Sequence, residues 1–317
     1  MPTAPRSSYY YAARRAKRRR ARRPWILLFF TLLLAALLLA LWKRGGEEQP
    51  ISNPTQVSSL PFSSTLSSSS SLSSSLQQES PGSSSLSSLS IEDIAAGLTS
   101  LHYTPCLILV NDSYPLEKEP ENLASDETGE FYMTQETLAA YQKMKQDADS
   151  SCPEPLGIIS AYRTAEQQTY LYASNPYAAP VWKSEHQTGL SLDLRSPDYA
   201  GEYFLVSEVG RWVEENCWDY GFILRYPENR SDLTGIPNEP WHYRYVGLPH
   251  SLIIQQEGWV LEEYIQALPT GGRMEWEGWI LAAVEISPEG TVLLPEGSDG
   301  AWASPDNTGR LVLWWKE

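Results

Sequence analysis

Two of the four histidines in this 317-residue chain stand close in sequence to carboxylates. In the stretch SEHQTGLSLDL, residues 184–194, His186 and Asp193 are seven residues apart with Gly189 between them. In NEPWHYRYVG, residues 238–247, Glu239 precedes His242 by three. Two histidines and one carboxylate make three protein ligands and leave a fourth tetrahedral position for water, the layout of a catalytic zinc site. The same set suits non-haem iron, although an oxygenase would also need a co-substrate pocket, of which the sequence gives no sign. An Asp193 paired simply with Arg195 or Arg244 is the alternative that involves no metal. Glu239 is left over, a short reach away, to take a proton from an activated water and pass it to a leaving amine.

A third block, SAYRTAEQQ at residues 160–168, sets Arg163 directly before a helix start. Free N–H groups and the helix dipole favour an anion there. A guanidinium grips a carboxylate in bidentate fashion, such as the free end of a peptide. Gln168 falls about one turn into that helix.

The elements that must position these groups are legible around them. Leu190, Leu192 and Leu194 fall on one face of a strand and Ser191, Asp193 and Arg195 on the other. The leucines anchor the strand that presents Asp193, and Gly189 lets the preceding turn fold back. Thr164 with Gln167 three residues on forms a capping box. A helix is expected over residues 135–148 behind Thr134, and another through Val209, Trp212, Val213, Cys217 and Tyr220, ending at Gly221. CLILV (106–110), LGIISAYR, FILRY and WHYRYVG read as strands, and residues 251–268 as a helical section. Strands and helices mix without a βαβ repeat, which points to an α+β class.

SAYRTAEQQ, SEHQTGLSLDL and EPWHYRYVG together resemble the three signature blocks of the VanY-type zinc D-Ala-D-Ala carboxypeptidases, a family that includes related LD-carboxypeptidases. LVNDSYPL resembles the segment that opens the family's catalytic domain. The resemblance covers residues 91–268. It implies a hedgehog-like domain whose antiparallel sheet carries the zinc. It further implies His186, Asp193 and His242 as Zn2+ ligands and Glu239 as catalytic base. Arg163, Gln168 and Ser184 would surround the substrate carboxylate, and Trp241 would wall the pocket. Ala161 and Ser191 depart from the family's usual glycine and alanine, both by small side chains. The implied reaction is removal of the terminal D-Ala from a peptidoglycan stem peptide. An L,D-carboxypeptidase acting on tetrapeptides, or a wall-binding module without chemistry, are the alternatives. An intact ligand set with its base speaks against the binding module, and a carboxylate clamp speaks against an endopeptidase.

The remaining chain suggests where such a domain would work. Residues 14–23 hold eight basic side chains, and residues 24–42 are an uncharged run of nineteen, close to the roughly 20 residues that span a bilayer. No small-x-small cleavage site follows. The expectation is therefore an uncleaved single-pass anchor with residues 1–23 cytoplasmic and the catalytic domain outside. Residues 43–90 are Ser-rich and should form a disordered tether. Residues 1–44 carry eleven basic groups and no acid against a total of −15, so residues 45–317 stand at −26. That charge excludes nucleic acid as a partner. A monomer is expected. Residues 269–317 read as a small β-rich extension of short strands between Gly, Pro and Asp turns. Three scattered cysteines allow at most one disulfide.

Overall fold

A computed structural model describes residues 88–175 and 177–316. All of them belong to the unit Glu79–Glu317. The basic segment, the apolar run and the tether as far as residue 87 lie outside the described residues. Among the described residues no helix is long and apolar enough to cross a membrane.

The chain enters through β1 (Ser88–Ser90) and α1 (Ile91–Ala95), where Ser90 Oγ accepts from the Glu92 and Asp93 amides. The last three residues of the expected tether are therefore ordered, because β1 pairs antiparallel with Thr291–Leu293. After β2 (His102–Tyr103) comes the segment expected as a strand over residues 106–110, and it is not one. Cys106, Leu107, Leu109 and Val110 are buried, but side chains replace a ladder partner. Ser304 Oγ accepts from the Leu107 amide, Arg244 Nη2 donates to the Cys106 and Ile108 carbonyls, and Asn307 Nδ2 donates to Leu109. Buried backbone must be paired somehow, and here the partners come from distant residues.

A hairpin of β3 (Leu123–Ser125) and β4 (Tyr132–Thr134) leads into α2 (Gln135–Ser151), with Thr134 Oγ1 accepting from the Thr137 amide as expected. The helix runs three residues past its expected end. Next come β5 (Gly157–Ser160) and α3 (Ala165–Ser174), whose capping box has both bonds formed. A 3-10 turn at Glu185–Thr188 precedes β6 (Ser191–Arg195). Then follow α4 (Glu208–Asn216), a 3-10 turn at Cys217–Tyr220 closed by Gly221, β7 (Phe222–Leu224), α5 (Ser231–Thr234) and β8 (His242–Tyr245). The helical section expected over residues 251–268 is two helices, α6 (His250–Glu257) and α7 (Leu261–Ala267), because Gly258 at φ 70° ends the first. Five strands finish the chain: β9 (Met274–Trp276), β10 (Trp279–Glu285), β11 (Thr291–Leu293), β12 (Trp302–Pro305) and β13 (Arg310–Lys316).

The antiparallel sheet β5-β6-β8-β7 is the one that matters for chemistry. Leu192, Leu194, Ile158, Phe222 and Tyr243 pack from one face onto Met144 and Ala148 of α2 and Val209 and Val213 of α4. Burying each of the two leucines is worth roughly 1.5–3 kcal/mol, so a one-residue slip that turned them out would be strongly disfavoured. Register then fixes what the opposite face shows: Asp193 stands directly across from His242, and Ser191 across from Arg244.

The C-terminal strands are not a separate body. They form the sheet β2-β12-β13-β10-β9, taking in β2 through a parallel pairing with β12. One face, with Leu281, Ala283, Val312 and Trp314, shares a core with Leu107, Ile253, Ile254, Leu261 and Ile265. The other, with Leu311 and Leu313, packs on Ile94, Leu101 and Val292.

Candidate metal centre

His186 sits in the 3-10 turn before β6, and the turn can close because Gly189 adopts φ 70°. There is little room for anything larger, since an added Cβ would lie 2.7 Å from Leu123 Cδ2. His186 is buried, and its Nδ1 lies 2.6 Å from the Ala161 carbonyl. A carbonyl only accepts, so Nδ1 carries the proton and Nε2 offers its lone pair. That Nε2 is 3.3 Å from Asp193 Oδ2. From β8, His242 brings Nδ1 to 3.1 Å from Asp193 Oδ1. The two imidazoles meet edge to face, with centroids 5.0 Å apart.

These three residues each offer one ligand atom, all within 4.8 Å of one another. Tetrahedral bonds of about 2.0–2.1 Å place ligand atoms about 3.4 Å apart, and each imidazole nitrogen meets one oxygen of the Asp193 carboxylate near that spacing, His186 at Oδ2 and His242 at Oδ1. Asp193 Oδ1 is buried and accepts no hydrogen bond, although His242 Nδ1 is so near. A close approach without a shared proton is what a cation between the two atoms would satisfy. The donor set and its spacing therefore fit Zn2+.

Glu239 precedes β8 and places Oε2 3.6 Å from His242 Nδ1, beside the ligand atom. Burial raises its pKa, with the Asp193 charge adding to that and His242 and Arg163 opposing it. Burial likewise opposes charge on His242, but the Asp193 and Glu185 carboxylates beside its two nitrogens outweigh it and lift that imidazole to about 9. Asp193 resists burial too, and the two histidines hold its carboxyl well below the usual range.

Arg163 approaches from the loop between β5 and α3. Its Nη1 donates to Ser160 Oγ at 2.6 Å and its Nε to Gln168 Oε1 at 2.9 Å. Neither bond uses Nη2. Burial lowers the guanidinium's pKa, while the charges of Asp193 and Glu239 pull it the other way. Gln168 is buried, and its Nε2 donates to the Ala179 carbonyl at 2.7 Å. Both amide ends are thus engaged, which makes Gln168 the support of Arg163. Ser184 is buried at the start of the 3-10 turn, and its hydroxyl does not cap that turn. Trp241 is half-buried at the margin of the core that holds Leu192 and Leu194, and its carbonyl accepts from the Leu194 amide.

Sequence reasoning passed over Glu185, although it lies beside His186. The side chain is fully buried. Oε1 accepts from Arg225 Nε at 2.7 Å and Arg244 Nη1 at 2.8 Å, and Oε2 accepts from Ser191 Oγ and lies 3.4 Å from His242 Nε2. Burial opposes its charge, but the two guanidiniums hold its pKa well below the usual range. No spacing rule announces this cluster, because Arg225 and Arg244 meet Glu185 only through the sheet. The two remaining histidines lie apart from the metal ligands. His250 is buried against Tyr264 and Trp314, and His102 lies tilted against Trp302. Cys106, Cys152 and Cys217 are all free thiols.

A sequence profile of the family described as VanY, D-alanyl-D-alanine carboxypeptidase, matches residues 130–248. The D-alanyl-D-alanine carboxypeptidase of Enterococcus faecium is 40% identical over 182 residues, which are 52% of this chain and 59% of that relative. The match thus spans less than two thirds of that enzyme. The bifunctional D-Ala-D-Ala dipeptidase and D-Ala-D-Ala carboxypeptidase VanXYC of Enterococcus gallinarum is 32% identical over 177 residues, 50% of this chain and 92% of that relative. Among solved structures, the vancomycin-resistance D,D-dipeptidase VanXYg, in complex with a D-Ala-D-Ala phosphinate analogue, superposes with a TM-score of 0.61 at 27% identity. The superposition covers 73% of this chain and 98% of that one.

Proposed function

Because this chain belongs to the VanY family of D-alanyl-D-alanine carboxypeptidases, we propose that it is a Zn2+-dependent carboxypeptidase removing the terminal D-Ala from peptidoglycan stem peptides. The observation that carries this reading is Glu239 Oε2 at 3.6 Å from the ligand atom of His242, within the triad His186, Asp193 and His242. That arrangement sets a proton acceptor beside a three-ligand metal position.

His186 Nε2, Asp193 and His242 Nδ1 would hold the ion. When bound, zinc supplies Lewis acidity and a water that ionises near neutral pH. Arg163, held by Ser160 and Gln168, takes the substrate's terminal carboxylate. Its fixed plane orients the scissile bond over the site, which converts binding into alignment. Ser184 and Trp241 border the same end of the substrate. Glu239 accepts the proton of the attacking water and returns it to the departing D-Ala nitrogen, after which the C–N bond is broken. A base whose pKa is raised by burial suits both halves of that transfer.

The wall polymer lies beyond the membrane. The basic segment 1–23, the apolar run 24–42 and the Ser-rich tether suit a single-pass anchor with a cytoplasmic N-terminus and the catalytic unit outside, acting as a monomer.

The test is to incubate the detergent-solubilised chain with pentapeptide and with tetrapeptide stems, with and without chelator, and to measure released D-Ala. Chelator-sensitive release from the pentapeptide is expected. Release from the tetrapeptide alone would replace D,D with L,D specificity, and release from neither would sink the reading. Glu239→Ala should retain zinc and lose at least about 100-fold in kcat, on the scale of general acid–base contributions. Full activity in that variant would remove Glu239 from the mechanism.

A further inference from the structure

Resting on the assignment of His186, Asp193 and His242 as metal ligands, we propose that Glu185, Arg225 and Glu262 form a buried positioning relay. It holds His242 with Nδ1 facing the metal, and it makes zinc affinity depend on a residue of α7 outside the site.

The first link is at Glu185. Its Oε1 is saturated by two guanidinium N–H groups, at 2.7 and 2.8 Å. Oε2 faces Ser191 Oγ and His242 Nε2. An ionised carboxylate only accepts, so the imidazole must present N–H at Nε2. A cation on Nδ1 displaces that nitrogen's proton, so the bound imidazole keeps its one N–H on Nε2 and turns the Nδ1 lone pair to the position beside Asp193. Outer partners of this kind fix the tautomer and orientation of ligand histidines.

The second link is Arg225. Its Nε binds Glu185, while Nη1 and Nη2 donate at 2.8 and 2.5 Å to the two oxygens of Glu262. The guanidinium plane is thereby clamped from both edges, and with it the position of Glu185. Glu185, Glu262, Arg225 and Arg244 together sum to zero charge. Removing either acid leaves a buried net positive charge next to a dication's site, where the low dielectric strengthens the repulsion. Both geometry and charge therefore predict weaker metal binding when Glu262 is neutralised, although Glu262 does not touch His242.

A purely structural ion-pair cluster would lower stability and leave the affinity of the folded protein unchanged. Zinc dissociation constants of the full chain, measured by competition with a chromophoric chelator where each variant is folded, separate the two. We expect Glu185→Gln to bind zinc about 10- to 100-fold more weakly and Glu262→Gln about 10-fold more weakly. The double variant should fall short of the sum of the two effects, as residues acting in one network do. Glu262→Asp, which keeps the charge, should recover part of the loss. Wild-type affinity in folded Glu262→Gln overturns the relay, and it does so even if Glu185→Gln fails to fold. Labelling the four histidines with 15N gives a second reading on the zinc-loaded wild type: a proton on His242 Nε2 is expected, and a proton on Nδ1 overturns the proposal. A wild-type chain that binds no zinc would instead sink the metal assignment itself.

Discussion

Glu214 on α4 has Oε1 buried without a hydrogen bond, and so does the hydroxyl of Tyr243, whose titration feels the Glu214 charge. Burial, reinforced by the neighbouring Glu215, lifts the Glu214 carboxyl to about 7. Its folded pKa thus lies above the unfolded one of roughly 4.3. The protonated acid is compatible with its site, so its contribution is intact below that unfolded value and is lost as pH rises through 7. Glu214→Gln should therefore raise the melting point at pH 8, by about 1–3 kcal/mol of stability, and change little at pH 4.5. An equal shift at both pH values, read by thermal denaturation, would mean that ionisation is not the cause. At the candidate metal ligands a fixed partner selects the donor atom instead: the Ala161 carbonyl leaves His186 a single free nitrogen. The sequence marks the ligands by type and spacing, but the carbonyl that decides which nitrogen binds lies 25 residues away in the chain.

At the scale of elements, the site is a product of turn closure and register. Gly189 has φ 70° and an unoccupied Cβ position 2.7 Å from Leu123 Cδ2, so Gly189→Ala meets both a backbone penalty of about 1–2 kcal/mol and a clash. The turn between His186 and Asp193 should then open. We expect a lower melting point together with weaker zinc binding, and unaltered zinc binding would show that the turn does not set the ligand geometry. Much of this was legible locally. The period of two in GLSLDLR gave the two faces of β6, and the Thr164 capping box gave the start of α3 beside Arg163. The strand expected over residues 106–110 failed for an equally physical reason: its apolar pattern reports burial, while Ser304, Arg244 and Asn307 supply the hydrogen bonds a neighbouring strand would have made.

At the scale of the described unit, the C-terminal strands share a core with α6, α7 and Ile223 of the metal sheet. Asn307, in the turn between β12 and β13, donates to the carbonyls of Leu109, Tyr114 and Pro115. Asn111 of that same loop reaches Glu262. Ending the chain after residue 268 would strip Leu281, Ala283, Val312 and Trp314 from a core they share with α6 and α7. Each large apolar loss costs about 2–5 kcal/mol against a total stability of about 5–15 kcal/mol. The truncated chain should show no cooperative unfolding transition by circular dichroism, and a sharp transition would mark the last fifty or so residues as an independent appendage. By itself the sequence determined the chemistry on offer: three candidate ligands of two types, a spare carboxylate, an arginine before a capped helix, and the alternation that presents Asp193. Only the tertiary structure decided that Glu185, Arg225 and Glu262 stand behind His242, and that β2 joins the C-terminal sheet. Those contacts join residues far apart in the chain, and periodicity and capping report only what neighbours within a few turns or strands impose on one another.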